Sequence, residues 1–594
     1  MQIFKKFLFL LNLRERKIAS LLLIMSFIMA LLDMIGVASI MPFVAVLTNP
    51  TLIETNSILK MMFKASNSFG VQNNQQFFFV LGLFVFSILL FSLFFKSLLI
   101  YVQARFISMR EYSIAKLVME KYLHQPYSWF LNQHSAKIGK TILSEISNIV
   151  SGGLAPLIDI ITKSLITIAI ITLLILVDPK LALIVSFLIG GVYLLLIYFI
   201  KGYLFRIGKL NLKNNELRFL AISNAFSAVK EVKFRGLEQY YIKQFSDPAQ
   251  SLAKERAAAI IVKQLPRIIL EAIAFGGILI IILYMISKTN NFNEILPIIS
   301  LYAFAGYRLM PAVQGIYAGY STLIFTAPSI NKLYEDLKNI KPINLNEDQS
   351  ILSVDKKIAL KNIHFYYPNT SQITLDNISL IIPAKSTVGF IGTTGSGKTT
   401  LAEIILGLLQ PQKGTLEIDG KPLTTQNCRP WQRSIGYVPQ QIYLSDDTVA
   451  ANIAFGVEPK DIDQDIIEKV SKTSKLHSFV INELPQKYQT TIGERGVRMS
   501  GGQRQRIGIS RALYNKPSVL ILDEATNSLD NDTEQAVMDA VSSLTKDITI
   551  ILIAHRLNTL KNCNIIFKID KGKLVGQGTY KELINFDETF ILSS

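Results

Sequence analysis

Six runs of apolar residues decide what this chain can fold into. They cover roughly 18–47, 77–106, 153–177, 180–201, 257–287 and 294–325. A helix needs about 20 apolar residues to cross the hydrocarbon core of a bilayer, and each run meets that length. Several exceed it, so these helices are expected to tilt or to protrude. The third and fourth runs are joined only by VDPK (177–180), a tight turn at one membrane surface. The basic N-terminus is followed by no small-residue cleavage site, so the first run reads as a retained span and not a signal peptide.

Composition fits a membrane domain fused to a soluble one. Of 594 residues, 50% are hydrophobic and 18% charged, and mean hydropathy is +0.35. The apolar runs stop near residue 325, and the remainder reads as a soluble α/β chain. The expected division is a transmembrane domain over 1–340 and a second domain over 341–594. Two cysteines, Cys428 and Cys563, both in the soluble part, argue for a reducing compartment without a disulfide framework.

The net charge is +17. The lysines and arginines cluster beside the spans, which points to anionic lipid headgroups and away from nucleic acid. They also set the orientation. Lys5, Lys6, Arg14, Arg16 and Lys17 precede the first span. Arg105, Arg110, Lys116, Lys121, Lys137 and Lys140 lie between the second and third, and a richer set from Lys201 to Arg256 follows the fourth. The alternate loops carry only Lys60 and Lys64, or Lys288. The basic loops, and with them the soluble half, are therefore expected in the cytoplasm. Both long basic segments read as helical extensions of the spans. In the first external loop, SILKMMFKA reads equally as a short interfacial amphipathic helix or as a flexible loop.

The soluble half carries a phosphate-binding loop. Residues 392–399 read GTTGSGKT, between the apolar strand STVGFI and the helical pattern LAEIILGLL. Gly392, Thr393, Thr394, Gly395, Ser396 and Gly397 would wrap backbone N–H groups around nucleotide phosphates. Lys398 would neutralise phosphate charge, Thr399 would ligate Mg²⁺, and Thr400 completes the nucleotide-binding stretch. The apolar strand VLIL (519–522) ends in Asp523 and Glu524. Asp523 is expected to hold Mg²⁺ through water, and Glu524 to orient and deprotonate the attacking water.

With MSGGQRQR at 499–506 the soluble half resembles the ATP-binding-cassette ATPases. The resemblance runs over 358–594, with Met499 where leucine is usual. It implies that Tyr367 in HFYYP stacks on adenine. It implies that Gln440 in YVPQQ senses Mg²⁺ and the membrane domain, that Asp530 in NSLD belongs to the D-loop, and that His555 in IAHR contacts the γ-phosphate. Ser500, Gly501, Gly502 and Gln503 form the signature, which in that family completes the ATP site of a second subunit. These four also offer a hydroxyl and N–H groups at a helix start. One complete motif set on six spans is half a machine, so the expected assembly is a domain-intertwined homodimer binding ATP and Mg²⁺.

Six spans before one cassette resemble type IV exporters, in which ATP binding and hydrolysis alternate the membrane cavity. QPYSWFLNQHSAKIGKTI (125–142) and EVKFRG (231–236) occupy the positions of cytoplasmic coupling loops. His124 and His134 read as packing or surface residues and not metal ligands. Ionisable residues inside spans are functional candidates. They are Lys96, Lys263, Arg267 and Arg308, with Asp33, Asp159 and Glu271 as possible internal partners. Two readings stand. Either Arg267 pairs with Glu271, Lys163 with Asp159, and Arg308 with Asp33 or a carbonyl, or unpaired cations line a cavity and meet an anionic headgroup, for which arginine is well suited.

LLDMIGVASIMPFVAVL, YSWFLNQHSAKIGKTI and AFAGYRLMPA resemble the Pgl-type flippases of bacterial protein glycosylation. This resemblance implies a polyprenyl-diphosphate-linked oligosaccharide, moved across the bacterial cytoplasmic membrane, with Lys96, Arg267 and Arg308 as pyrophosphate contacts. Alternatives are export of lipid A or a drug and, less favoured because no cysteine-bearing peptidase-like domain precedes the first span, export of a peptide.

Overall fold

The computed structural model describes residues 2–67, 71–288, 292–340, 350–368, 370, 372–493, 496, 499–524, 531–542, 547–554 and 557–586. The chain divides into two bodies. One is Met1–Leu123 with Gln133–Pro342, the other His124–Asn132 with Ile343–Ser594.

Helices are the only regular elements among the described residues of the first body. It begins with α1 (Gln2–Leu10), α2 (Leu13–Ala38), α3 (Ile40–Thr48), α4 (Leu52–Thr55), α5 (Ser57–Asn67) and α6 (Asn74–Leu123). The helix α7 (Tyr127–Phe130) belongs to the other body. Then come α8 (Ser135–Lys140), α9 (Ile146–Ile149) and α10 (Ala155–Val177), with π-helical turns at Thr141–Glu145 and Val150–Leu154. The last four are α11 (Pro179–Ser227), α12 (Val229–Arg235), α13 (Glu238–Lys288) and α14 (Phe292–Asn339).

Among the described residues, five helical stretches are long and apolar enough to cross a membrane: Leu13–Thr48, Asn74–Leu123, Ser135–Val177, Gly190–Ser227 and Leu296–Asn339. The remaining expected span, 257–287, falls within α13, and part of its side chains lies outside the described residues. The basic segments do prolong the spans. At a rise of 1.5 Å per residue, the 50 residues of α6 reach roughly 75 Å, more than twice a hydrocarbon core. Apolar side chains face outward on the spans, with Phe94 69% and Phe187 84% exposed, as lipid-facing surfaces require.

Local chemistry fixes the helix ends. Asn12 caps α2 in a capping box with Glu15. Glu15 also pairs with Arg110 and accepts from the Ser113 hydroxyl at 2.8 Å, tying α2 to α6. VDPK forms the expected turn. Asp178 Oδ1 accepts from Lys180 N and Leu181 N at 3.1 and 3.2 Å, and Pro179 fills the first helical position. Lys140 is fully buried between Glu145 at 3.3 Å and Glu216 at 3.7 Å, and Glu216 also receives Lys332 at 2.7 Å. This cluster joins α8, α11 and α14. SILKMMFKA is helical within α5. Leu59 packs with Val46, Ile53 and Phe77, and the Phe63 ring meets Phe77 edge-on at 5.2 Å.

The second body carries two sheets. Strands β1 (Lys357–Phe365), β2 (Leu375–Pro383), β4 (Lys413–Ile418) and β5 (Lys421–Pro422) form an antiparallel sheet in the order β2-β1-β4-β5. The other six-stranded sheet contains β3 (Thr387–Ile391), β6 (Ile435–Val438), β7 (Val519–Asp523), β8 (Thr549–Ile553), β9 (Ile565–Asp570) and β10 (Lys573–Gly578). Its order is β10-β9-β3-β8-β7-β6, parallel except for β10. TVGFI, VLILD and TIILI are buried along their whole length, which explains their unbroken apolar character. Around the sheets lie α15 (Lys398–Ile405), α16 (Cys428–Arg433), α17 (Val449–Ile453), α18 (Gln464–Thr473), α19 (His477–Glu483), α20 (Gly501–Tyr514), α21 (Asn531–Ser542) and α22 (Tyr580–Phe586). Trp431 is fully buried and its Nε1 donates to the Ile405 carbonyl at 2.7 Å, locking α16 to α15.

Candidate functional site

The carboxyl ends of β3 and β7 meet the start of α15, the place where parallel sheets hold ligands. Residues 392–397 connect β3 to α15. Gly395 and Gly397 adopt φ of +81° and +104°, a region open to glycine. Lys398 Nζ lies over the loop, donating to the Gly392 and Thr393 carbonyls at 2.8 and 3.0 Å. Burial pushes the ammonium below its ordinary pKa, while Glu524 and Asp523 oppose that shift. The cleft has a volume of about 740 Å³. Its lining includes Tyr367, Thr394, Lys398, Thr399, Gln440 and Glu524.

Asp523 ends β7 and is almost completely buried. Burial pushes its carboxyl up to about 6, with Glu524 and Glu403 adding to the shift and Lys398 and the Thr399 hydroxyl opposing it. Among the described residues, its Oδ1 is buried without a hydrogen-bond partner. An unmatched carboxylate oxygen beside a threonine hydroxyl is a hard-oxygen donor set, which fits hydrated Mg²⁺. Glu524 follows in the left-handed region at φ +50°, its N–H held by the Ile553 carbonyl at 2.9 Å. Gln440 Nε2 donates to Glu524 Oε2 at 2.8 Å.

Tyr367 stands against Phe365 with ring centroids 5.1 Å apart. Its hydroxyl lies 3.0 Å from Thr400 Oγ1 and donates to Glu403 Oε2 at 3.2 Å. Ser500 caps α20, its Oγ accepting from Gln503 N at 3.2 Å while its own N–H donates to Gln503 Oε1 at 2.8 Å. Gly501 and Gly502 form the first turn. Asp530 and His555 lie outside the described residues.

Sequence reasoning did not single out Glu403, Tyr127 or Tyr437. Glu403 had a visible signal, as the lone acid in LAEIILGLL. Tyr437 bonds to Asp523, and burial raises its pKa well above the ordinary phenol value.

In the membrane body the structure shows the paired one of the two readings for Arg308, Arg267 and Lys163. Arg308 lies 3.3 Å from Asp33, which is 3% exposed and also accepts from Ser92 Oγ at 3.0 Å. Arg267 Nε bonds Glu271 at 2.7 Å, and Lys163 reaches Asp159 at 3.4 Å. Pairing prevails because a lone charge in an apolar medium is costly, and these carboxylates lie on neighbouring helices or one turn away. Lys96 is exposed and forms no ion pair among the described residues. His124 and His134 are both exposed. Of the two coupling segments, His124–Asn132 clusters with the second body. EVKFRG forms the end of α12, closed by Gly236 at φ +63°, with Phe234 89% exposed.

The model of the ABC transporter family matches residues 375–527, and that of the ABC transporter transmembrane region matches 34–308. This chain belongs to the ABC transporters. It is a multi-pass membrane protein and an ATP-hydrolysing transporter, whose second body is its ATP-binding domain. An ATP-dependent lipid A-core flippase of Saccharophagus degradans is 41% identical over 241 residues, 40% of each chain. A protein of the same name from Cupriavidus metallidurans is 29% identical over 483 residues, 79% of this transporter and 78% of that protein. A bacterial Atm1-family ABC exporter solved with ATP bound superposes with a TM-score of 0.78 over 95% of this transporter and 96% of that chain. At 20% identity that likeness establishes the fold alone.

Proposed function

We propose that this transporter is an ATP-driven flippase for an anionic amphiphile, a polyprenyl-diphosphate-linked oligosaccharide, in the bacterial cytoplasmic membrane. Two copies form the working unit, with the ATP-binding domains in the cytoplasm. Tyr367 carries the adenine. The loop 392–397, Lys398 and Thr400 carry the phosphates. Thr399, Asp523 and Gln440 hold Mg²⁺, which supplies charge neutralisation on the phosphates when bound. Glu524 is the base for the attacking water, with His555 at the γ-phosphate. Ser500, Gly501, Gly502 and Gln503 close the site of the partner copy.

One observation carries the substrate class: Arg308, deep in α14, faces a single buried carboxylate, Asp33, at 3.3 Å. A guanidinium at that depth offers paired donors that phosphate oxygens can compete for. Arg267 and Lys96 complete a set of three cations, two of them exposed. A second reading, lipid A as substrate, is favoured by the names of the relatives, and its phosphates suit the same cations. The test is ATP turnover in proteoliposomes containing lipid-linked oligosaccharide, lipid A or a neutral dye. Stimulation by the diphosphate lipid supports the first reading. Stimulation by lipid A alone selects the second, and stimulation by the dye alone removes both.

A further inference from the structure

Glu403 sits one turn beyond Thr400 on α15, inside the ATP-binding body, where no phosphate or metal role calls for a carboxylate. Its Oε2 accepts from the Tyr367 hydroxyl at 3.2 Å. That hydroxyl is 3.0 Å from Thr400 Oγ1, beside the phosphate-loop lysine. The same carboxyl accepts from the hydroxyl of Tyr127. Tyr127 begins α7, within the segment His124–Asn132 that follows the spanning helix α6 in the chain yet clusters with this body. A tyrosine from the membrane half of the sequence and the aromatic at the nucleotide cleft therefore share one acceptor.

We propose that Glu403 is a positioning residue that links the ring of Tyr367 to Tyr127, so that nucleotide stacking and the placement of segment 124–132 depend on one carboxyl. The inference rests on the reading of the cleft as an ATP site. Each bond has a defined direction. Both tyrosine hydroxyls donate to the carboxylate, and Thr400 donates to Tyr367. Burial acts to raise the Glu403 pKa, while the two tyrosine bonds favour its charged form. Loss of either tyrosine hydroxyl leaves a buried acceptor less satisfied and frees the other ring to turn. By reciprocity, whatever shifts the segment changes ATP affinity, and ATP binding biases the segment.

The experiment is steady-state hydrolysis by the full-length protein in vesicles of phosphatidylethanolamine and phosphatidylglycerol, with MgATP varied. Tyr127→Phe and Tyr367→Phe each raise the KM for MgATP about fivefold, the size of one lost hydrogen bond. The double variant stays near fivefold, because the two hydroxyls act through one acceptor. Glu403→Gln, which keeps an acceptor oxygen, restores most of the KM lost in Glu403→Ala. A roughly 25-fold rise in the double variant, an unchanged KM in Tyr127→Phe, or equal effects of Glu403→Gln and Glu403→Ala would overturn the proposal. Melting without nucleotide is measured alongside, and a drop that parallels the KM change also overturns it. Failure of the ATP-site reading is separate: it appears as MgATP binding that survives Lys398→Ala.

Discussion

Gln440 and Glu524 are joined across the ATP cleft by a hydrogen bond of 2.8 Å. The carboxylate therefore does not swing freely. Its backbone is turned into the left-handed region at φ +50°, and its side chain is held from the neighbouring edge of the sheet. As the proposed base, a carboxylate held in this way is expected to dominate turnover and to matter little for binding. Glu524→Gln is predicted to lower phosphate release by about 100-fold or more while MgATP affinity is kept. Phosphate release and equilibrium binding, measured on the same preparation, check this. Turnover within about twofold of the parent protein would remove Glu524 from the role.

The raised carboxyl of Asp523 gives a pH dependence with a definite sign. A free aspartate titrates near pH ~4, whereas burial holds this one at about 6. Its charged form is thus disfavoured in the folded site, so it lowers stability above both values. That loss fades as the pH falls through 6 towards 4. Mg²⁺ needs the charged form. MgATP affinity is predicted to weaken as pH drops through about 6, and Mg²⁺ binding at pH 6 is predicted to release protons. Calorimetric titration in buffers of different ionisation enthalpy measures both. Affinity that is flat between pH 5 and 8 contradicts the assignment.

Arg308 and Asp33 make a stability prediction independent of substrate. Removing the guanidinium leaves a carboxylate that is 3% exposed. Arg308→Ala is predicted to destabilise the membrane body by about 3 kcal/mol, and Arg308→Ala with Asp33→Asn by clearly less. Arg267 is 62% exposed beside Glu271, and Arg267→Ala should leave stability nearly unchanged. Melting in detergent distinguishes these cases. Equal destabilisation by the single and double Arg308 variants would show that the pair is not the controlling contact.

The proposed homodimer with composite ATP sites predicts complementation. A protomer with Lys398→Ala and a protomer with Ser500→Arg are each expected to be inactive as homodimers. Coexpressed, they form a mixed dimer in which one site collects both defects and the other has neither, so hydrolysis returns in part. Purification through two different tags isolates that dimer. Absence of any recovered turnover would mean that each site is built from one chain.

Much of this was legible in the sequence for identifiable physical reasons. TVGFI and VLILD announced apolar strands because both faces are covered, and the motifs at their ends followed from chain order. VDPK announced its turn because aspartate caps and proline starts a helix. The α5 helix was undecided because so short a helix is set by packing, here on Val46 and Phe77, and not by propensity. Asp33 was legible as a partner for Arg308 because both are ionisable residues inside spans, where a lone charge is costly. The partner of Glu403 was hidden for a different reason: Tyr127 lies far away in sequence, and periodicity reports which face a residue occupies but not which residue meets it.

The most direct measurement is flipping itself. The protein is reconstituted in sealed vesicles carrying fluorescent polyprenyl-diphosphate oligosaccharide in one set, lipid A in another and a neutral dye in a third. MgATP is predicted to drive the diphosphate lipid across, with Glu524→Gln abolishing transfer and Arg308→Ala, compared at a temperature where both proteins are folded, reducing it at least tenfold. Transfer of the diphosphate lipid that is indifferent to both substitutions, or transfer of the neutral dye alone, would contradict the account.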